Sequence, residues 1–173
     1  MTQRSDATAA LAAEVHRALA AGHATIAVAE SLTGGLLGGA LTDVAGSSAT
    51  FRGGVVAYAT ELKATLLDVD PDLLRRDGAV QPEVAAAMAR GAAGRLGATF
   101  GLATTGVAGP DSQDGHPPGL VYLALAGPGI GADGSVVVAL QLGGGRAEVR
   151  HETVRRALSL VLENLTGEGN ARR

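Results

Sequence analysis

The sequence predicts an α/β protein, a three-layer α/β/α sandwich on a mixed, mostly parallel sheet of about five to six strands. Residues 24–29 and 99–104 form apolar runs, which are typical of parallel strands buried on both faces. Segments with helical periodicity separate the early strands. A short glycine-rich loop, residues 127–134, is expected to join the last two strands as an antiparallel pair.

The first two predicted elements are a helix over residues 6–21 and a strand over residues 24–29. Apolar residues of the helix repeat every four positions, at Leu11, Val15 and Leu19, so one face is hydrophobic. The strand is apolar at nearly every position, so it is expected in the centre of the sheet.

A second helix over residues 34–44 and a second strand over residues 53–59 follow. The helix comes after a glycine turn, and a strand, turn and helix in this order expose backbone N–H groups that suit an anion. The second strand would place Tyr58 near its carboxyl end. Lys63 lies about one helical turn further along the chain.

Residues 60–76 are predicted to form two short helices, because Pro71 is favoured at a first helical position and disfavoured inside a helix. Pro82 opens a longer helix, in which Val84 and Met88 lie on one apolar stripe. The remaining strands are expected over residues 99–104, 120–126 and 135–142, and the last helix over residues 145–165.

Three turns are expected at the carboxyl ends of the parallel strands, where open α/β sheets bind ligands. They contain Ser31, the segment from Tyr58 to Lys63, and Thr105 with Gly106. Right-handed connections between the parallel strands would place all three turns at the same edge of the sheet, around one crevice. Because the sequence has no Walker loop and no GxSxG motif, the prediction depends on their joint placement.

Lys63 is the only lysine among the 14 basic residues of the chain. A guanidinium keeps its proton at working pH, whereas a desolvated ammonium can lose it. A lysine in an arbitrary protein is usually a surface residue. Lys63, however, is the only lysine of the chain and lies close to Tyr58 and the glycine turns, which favours a chemical role.

Composition excludes several classes of function. The chain has no cysteine, and its four histidines show no HxH or HExxH spacing, so we expect neither thiol chemistry nor a metal site. A net charge of −3 and an aromatic content of 2% disfavour nucleic-acid binding. The sequence contains no apolar run long enough for a bilayer and no signal-peptide pattern, so we expect a cytoplasmic protein without membrane contact.

Residues 1–173 are expected to form one domain with an ordered core over residues 6–165 and a disordered polar tail. Near the start of the last helix lies a basic cluster. It is expected to be a solvated face or a site for one phosphate. The cluster consists of Arg146, Arg150, Arg155 and Arg156.

Six sequence blocks occur together over roughly residues 8–165. They are Ala29-Glu30-Ser31-x-Thr33-Gly34-Gly35, Ala45-Gly46-Ser47-Ser48, Tyr58 with Lys63, Gly78-Ala79-Val80, Thr105-Gly106-Val107-Ala108-Gly109-Pro110, and Gly145-Arg146 with Val149-Arg150. With these blocks the chain resembles the CinA C-terminal domain family, the nicotinamide mononucleotide deamidases of bacteria. The family's larger N-terminal domain, with its nucleotide pyrophosphatase activity, has no counterpart here, so we expect a stand-alone deamidase.

The resemblance implies hydrolysis of the carboxamide of nicotinamide mononucleotide to nicotinate mononucleotide and ammonia, a step of pyridine nucleotide salvage. It implies no cofactor. Members of the family commonly self-associate, so a homo-oligomer is expected. The alternative is a regulatory, competence-associated module that binds a nucleotide phosphate without turnover. Replacing Lys63 by Arg would distinguish the two, because only an enzyme has ammonia release to lose.

Amide hydrolysis needs a nucleophile, an oxyanion site and a proton for the departing nitrogen. Without cysteine or a metal site, a Ser/Lys dyad is predicted, in which Ser31 attacks and neutral Lys63 accepts its proton. Tyr58 or Ser48 would relay or orient. Ser31 is favoured over Ser48 as the nucleophile, because a strand-to-helix turn presents it at the crevice floor.

Two glycine turns are candidates for the remaining substrate contacts. N–H groups around Gly34-Gly35, next to Thr33, or around Thr105-Gly106 are expected to bind the oxyanion. The other turn, together with Arg146, is expected to bind the phosphate.

Overall fold

The computed structural model describes residues 2–166. Its six helices are α1 Thr2–Ala21, α2 Leu36–Thr42, α3 Thr60–Leu67, α4 Pro71–Asp77, α5 Pro82–Leu96 and α6 Arg146–Leu165. Its five strands are β1 Ile26–Glu30, β2 Phe51–Val56, β3 Phe100–Gly106, β4 Leu120–Ala126 and β5 Ser135–Gln141. A short 3-10 helix spans Ser47–Ala49. Nearly all of the tail predicted to be disordered lies outside the described residues.

The five strands form one mixed sheet in the order β2-β1-β3-β4-β5. β1 pairs in parallel with β2 on one side and with β3 on the other. β4 pairs antiparallel with both β3 and β5. Four of the five strands therefore run in the same direction, which confirms the predicted mixed, mostly parallel sheet.

Helices cover both faces of the sheet and confirm the three-layer architecture. On one face, Leu19 of α1, Leu37 of α2 and Leu158 of α6 belong to one buried cluster with the sheet. On the other face, Leu67 of α3 and Met88 of α5 belong to a second cluster. Truncating such a fully buried side chain to Ala typically costs about 2–5 kcal/mol of stability.

The predicted bounds of the second strand were wrong, since β2 spans Phe51–Val56 instead of residues 53–59. The Ala57 N–H donates the last ladder hydrogen bond, to Glu30 O, and the chain then turns into α3. Burial alternates along β2, as expected for an edge strand with one exposed face. Tyr58 consequently lies in the turn after the strand.

The second helix starts later than predicted, at Leu36, because Gly34 and Gly35 adopt φ values of 58° and 96°. This left-handed conformation favours glycine and cannot continue a right-handed helix. Residues 31–35 therefore form a separate turn between β1 and α2. Within the described residues, no helix is long and apolar enough to cross a membrane.

Candidate active site

Ser31 and Lys63 lie in contact at the carboxyl edge of the sheet. Ser31 follows β1 directly, and its N–H donates to Thr104 O of β3 at 3.0 Å. Lys63 lies in α3 and is 1% exposed. Its Nζ donates to Ser31 Oγ at 3.2 Å and to Ala57 O at 2.8 Å. The predicted pair is thus buried and preformed.

Burial lowers the pKa of Lys63 from 10.5 to about 8, and the nearby carboxylate of Glu61 opposes this effect. The cause is desolvation, which disfavours the charged ammonium. At pH 7 about a tenth of the amines are then neutral, compared with fewer than about one in a thousand for an ordinary lysine. Lys63 can therefore act as a base close to neutral pH.

Glu30, the last residue of β1, binds the start of α2 with its carboxylate. Oε2 accepts from the N–H groups of Gly35 at 2.9 Å and Leu37 at 3.1 Å, and Oε1 accepts from the N–H of Gly38 at 2.8 Å. The side chain is 1% exposed. A negative charge at this position is stabilised by the N-terminal N–H groups of the helix.

This carboxylate changes the predicted role of the first glycine turn. The Gly35 N–H donates to Glu30, and the Gly34 N–H donates to Ser31 O at 3.1 Å. Both groups therefore already have acceptors within the protein. The expectation that N–H groups around Gly34-Gly35 bind the oxyanion or the phosphate is wrong for these two residues, because an internal carboxylate and a carbonyl occupy them.

Three other N–H groups at this edge have no acceptor among residues 2–166: those of Leu32, Thr33 and Gly106. In the ladder between β1 and β3, Phe100 N–H donates to Thr25 O and Thr104 O accepts from Ser31 N–H. The same alternation directs the Gly106 N–H towards the Ser31 side, one rung further. Two of these donors therefore belong to the two residues after Ser31, and the third belongs to the predicted Thr105-Gly106 turn.

Gly106 is required at its position by close packing against β4. A Cβ at this residue would lie 2.5 Å from Leu120 O and 2.8 Å from Val121 Cα. Real Cβ atoms essentially never approach backbone so closely, so any side chain would push the two strands apart. Because glycine allows β3 and β4 to pack this closely, it keeps the end of β3, with its unpaired N–H, next to Ser31.

The threonine hydroxyls of the site bond within the protein. Thr33 Oγ1 lies 2.8 Å from Thr104 Oγ1, and both side chains are buried. Thr105 Oγ1 donates to Ala79 O at 2.7 Å. These bonds link the turn after β1 to the end of β3, and the turn after β3 to the segment before α5. The threonine hydroxyls therefore position the backbone at the edge of the sheet.

Arg146 and Tyr58 form a bridge at the mouth of the site. Nη1 of Arg146 donates to Gly109 O after β3, and Nη2 donates to the Tyr58 hydroxyl after β2, at 2.9 and 2.8 Å. Because β1 lies between β2 and β3, this bridge links the turns that follow the two neighbours of β1. Ser31, which follows β1 directly, is 9% exposed.

The structure places Ser48 away from the dyad, which contradicts its predicted part in the site. Ser48 lies in the 3-10 helix before β2, and Ile26 pairs with Phe51 at the amino ends of the strands. Ser31 lies at the opposite end of β1. The length of that strand separates the two serines by roughly 15 Å or more. Ser48 therefore acts as a turn residue.

The predicted basic cluster divides between two faces of α6. Arg155 and Arg156 pair with Glu152 on the outer face, at 2.7 and 3.2 Å. Arg146 and Arg150, one helical turn apart, point towards the site. Arg150 donates from Nε to Leu32 O at 2.9 Å and from Nη2 to Thr33 O at 2.7 Å.

Sequence reasoning missed Glu30 and Arg150 as site residues, although both were part of the family motifs. A carboxylate at the end of a fully apolar strand was a usable signal, because a buried charge needs partners. In the part of the chain that the structure describes, no group of three or more His, Asp or Glu side chains could hold a metal ion.

Comparison with known proteins identifies the family of this chain. The family model of the CinA C-terminal domain matches residues 8–165. The chain belongs to the CinA C-terminal domain family. A CinA-like protein of Frankia casuarinae is 55% identical over 148 residues, 86% of this chain and 33% of the relative. One of Parasynechococcus marenigrum is 49% identical over 147 residues, 83% of this chain and 34% of the relative.

Solved structures of CinA proteins share the fold. The competence/damage inducible protein CihA of Agrobacterium tumefaciens is 37% identical with a TM-score of 0.85, and the match covers 92% of this chain and 96% of that one. A CinA superfamily protein of Klebsiella pneumoniae is 32% identical with a TM-score of 0.87, covering 92% and 98%. This CinA domain spans about a third of the length of the curated relatives it matches.

Proposed function

We propose that this CinA domain is a Ser/Lys amidohydrolase that converts nicotinamide mononucleotide to nicotinate mononucleotide and ammonia. The observation that supports the reaction type is the contact of a buried amine of lowered pKa with a serine hydroxyl, 3.2 Å apart, beside unpaired backbone N–H groups. Nucleophile, base and oxyanion donors are the parts that acyl transfer requires. The substrate follows from the family resemblance.

In the acylation half, Lys63 Nζ takes the proton of Ser31 while Oγ forms a bond to the carboxamide carbon. The carbonyl oxygen becomes an oxyanion, and the N–H groups of Leu32, Thr33 and Gly106 are the proposed donors to it. The C–N bond then breaks, and Lys63 passes its proton to the nitrogen, which leaves as ammonia. An ester of Ser31 with the nicotinoyl group remains.

In the second half, water replaces ammonia. Lys63 accepts a proton from the water while its oxygen bonds to the ester carbon, and the bond from carbon to Ser31 Oγ breaks. The proton returns from Lys63 to Ser31. The sum is one amide and one water giving one carboxylic acid and one ammonia, with the dyad regenerated.

Arg146 is the proposed ligand for the substrate phosphate, because its guanidinium lies at the mouth of the site and suits bidentate binding of an anion. A phosphate there would compete with Gly109 O and the Tyr58 hydroxyl for its N–H groups. Tyr58 is 58% exposed and bonds to Arg146 instead of the dyad, so we assign it to substrate orientation and not to proton relay.

Ammonia release from nicotinamide mononucleotide by the purified domain, without added metal, tests the proposal. Ser31→Ala and Lys63→Arg are the controls, and both should abolish release while the protein stays folded. A protein that binds the mononucleotide without releasing ammonia would instead be the phosphate-binding regulatory module. Self-association and a cytoplasmic location stay predictions, and light scattering on the purified domain tests the first.

A further inference from the structure

We infer that Glu30 and Arg150 are positioning residues that hold the turn of residues 31–35 from two sides and thereby orient the oxyanion donors beside Ser31. The inference concerns the same site and rests on the proposed hydrolytic function. It assigns neither residue a contact with substrate.

Glu30 fixes the end of the turn where α2 begins. Its carboxylate accepts from the N–H groups of Gly35, Leu37 and Gly38 and is almost fully buried. Charge-assisted hydrogen bonds of this kind are roughly twice as strong as neutral ones. Since Glu30 directly precedes Ser31, the same residue fixes both ends of the chain segment that contains the nucleophile.

Arg150 fixes the middle of the turn from the side of α6. Its guanidinium donates to the carbonyls of Leu32 and Thr33. A Cβ on Gly34 would lie 3.3 Å from Nη2, so the turn packs closely on this side chain. These contacts assign Arg150 to the protein backbone and leave the phosphate to Arg146.

The planarity of the peptide bond links these contacts to the oxyanion donors. A carbonyl and the N–H of the next residue point in opposite directions within one peptide plane. When Arg150 binds Leu32 O, it therefore turns the Thr33 N–H away from α6. In the same way, the bond from Gly34 N–H to Ser31 O sets the direction of the Leu32 N–H. The N–H groups of Leu32 and Thr33 are therefore oriented by the hydrogen bonds that the preceding carbonyls accept.

The charges of Glu30 and Arg150 are both stabilised by backbone dipoles of the turn and of the start of α2. Glu30 is negative beside the N–H groups of α2, and Arg150 is positive beside two carbonyls, so each charge meets the opposite end of backbone dipoles. Neither side chain pairs with Lys63. The base keeps its lowered pKa, and a change at either residue should alter geometry instead of the proton affinity of the amine.

The test compares Glu30→Gln and Arg150→Lys with the wild type. A Gln side chain places an NH₂ donor against backbone N–H groups, and a Lys side chain cannot bind two carbonyls in the fork geometry. Arg155→Lys is the matched control on the same helix, because Arg155 pairs with Glu152 on the outer face. Two readouts are needed: the labelling rate of Ser31 by a fluorophosphonate, and kcat and KM for nicotinamide mononucleotide.

We expect both variants to lower kcat and the labelling rate about 10- to 100-fold, with KM within about threefold of wild type. The pH at half-maximal labelling should not move, and the control should match the wild type. Labelling at the wild-type rate in folded Glu30→Gln and Arg150→Lys would overturn the inference, as would a loss confined to KM. Wild-type protein that labels at Ser31 without releasing ammonia would refute the proposed substrate alone.

Discussion

Lys63 Nζ lies 3.2 Å from Ser31 Oγ and 2.8 Å from Ala57 O, in a position where the amine is almost fully shielded from water. The carbonyl at Ala57 orients the amine, and burial makes its charged form less stable. A lysine in this environment has two measurable signatures, one in the pH dependence of reactivity and one in stability.

The first prediction concerns pH and reactivity. Because only the neutral amine can accept the Ser31 proton, kcat/KM and fluorophosphonate labelling should rise with pH through about 8 and level off above it. Below the midpoint the slope should approach one decade per pH unit. Rates measured from pH 6 to 10 check this. A profile that is flat between pH 6 and 10 would exclude Lys63 as the base.

The second prediction concerns stability. The pKa of Lys63 is lower in the folded state, about 8, than the ordinary value of 10.5. The cost of burying its charge is therefore fully present below pH 8, declines between pH 8 and 10.5, and is absent above. Lys63→Met should raise the free energy of unfolding by roughly 1–3 kcal/mol at pH 7 while abolishing activity.

Urea denaturation of both proteins at pH 7 and near pH 10 measures this difference. The advantage of Lys63→Met should shrink as the pH rises through that window. The prediction fails if the variant is less stable than wild type at pH 7, or if the difference is independent of pH.

The third prediction separates the two candidate serines. Ser31→Ala should lower ammonia release by at least about 1,000-fold, since it removes the nucleophile. Ser48→Ala should keep activity within about threefold, because Ser48 lies beyond the opposite end of β1. Mass spectrometry of the labelled protein should place the adduct on the peptide that contains Ser31. An inactive but folded Ser48→Ala variant would reverse the assignment.

The fourth prediction concerns the bridge between Arg146 and Tyr58. Arg146→Gln should raise KM for nicotinamide mononucleotide at least about tenfold. It should leave the kcat/KM for the unphosphorylated riboside, which has no phosphate to bind, nearly unchanged. Tyr58→Phe keeps the ring and removes the hydroxyl that accepts from Arg146. Its kcat should stay within about fivefold of wild type. A loss of several hundredfold would show that the hydroxyl takes part in proton transfer.

Much of the architecture was predictable from the sequence, because hydrophobic periodicity and the positions of proline follow local rules. The continuous apolar runs correctly predicted that β1 and β3 lie inside the sheet. Pro71 and Pro82 mark the starts of α4 and α5, as expected. The bounds of β2 were less predictable, since an edge strand ends where its one neighbour stops pairing with it.

The chemistry of the site was predictable only in part. The contact of Lys63 with Ser31 could be predicted, because the chain has no cysteine and only one lysine that could act as a base. Ser31 was the candidate nucleophile because it lies in the turn after β1. The inner role of Glu30 could not be derived, because it depends on which N–H groups meet the carboxylate in three dimensions. Ser48 was misplaced because its motif is next to the site in sequence but at the other end of the strands.

The unpaired Gly106 N–H has a consequence for how this fold can be improved. β3 continues one rung past its partner β1. In the proposed mechanism, the carbonyl oxygen of the substrate binds to the N–H group at this missing rung. A variant that paired this N–H within the protein would gain a hydrogen bond and lose one of the proposed oxyanion donors. Selection for thermal stability alone should therefore favour substitutions near Gly106 that pair this N–H group. Such variants should unfold at a higher temperature and turn over more slowly.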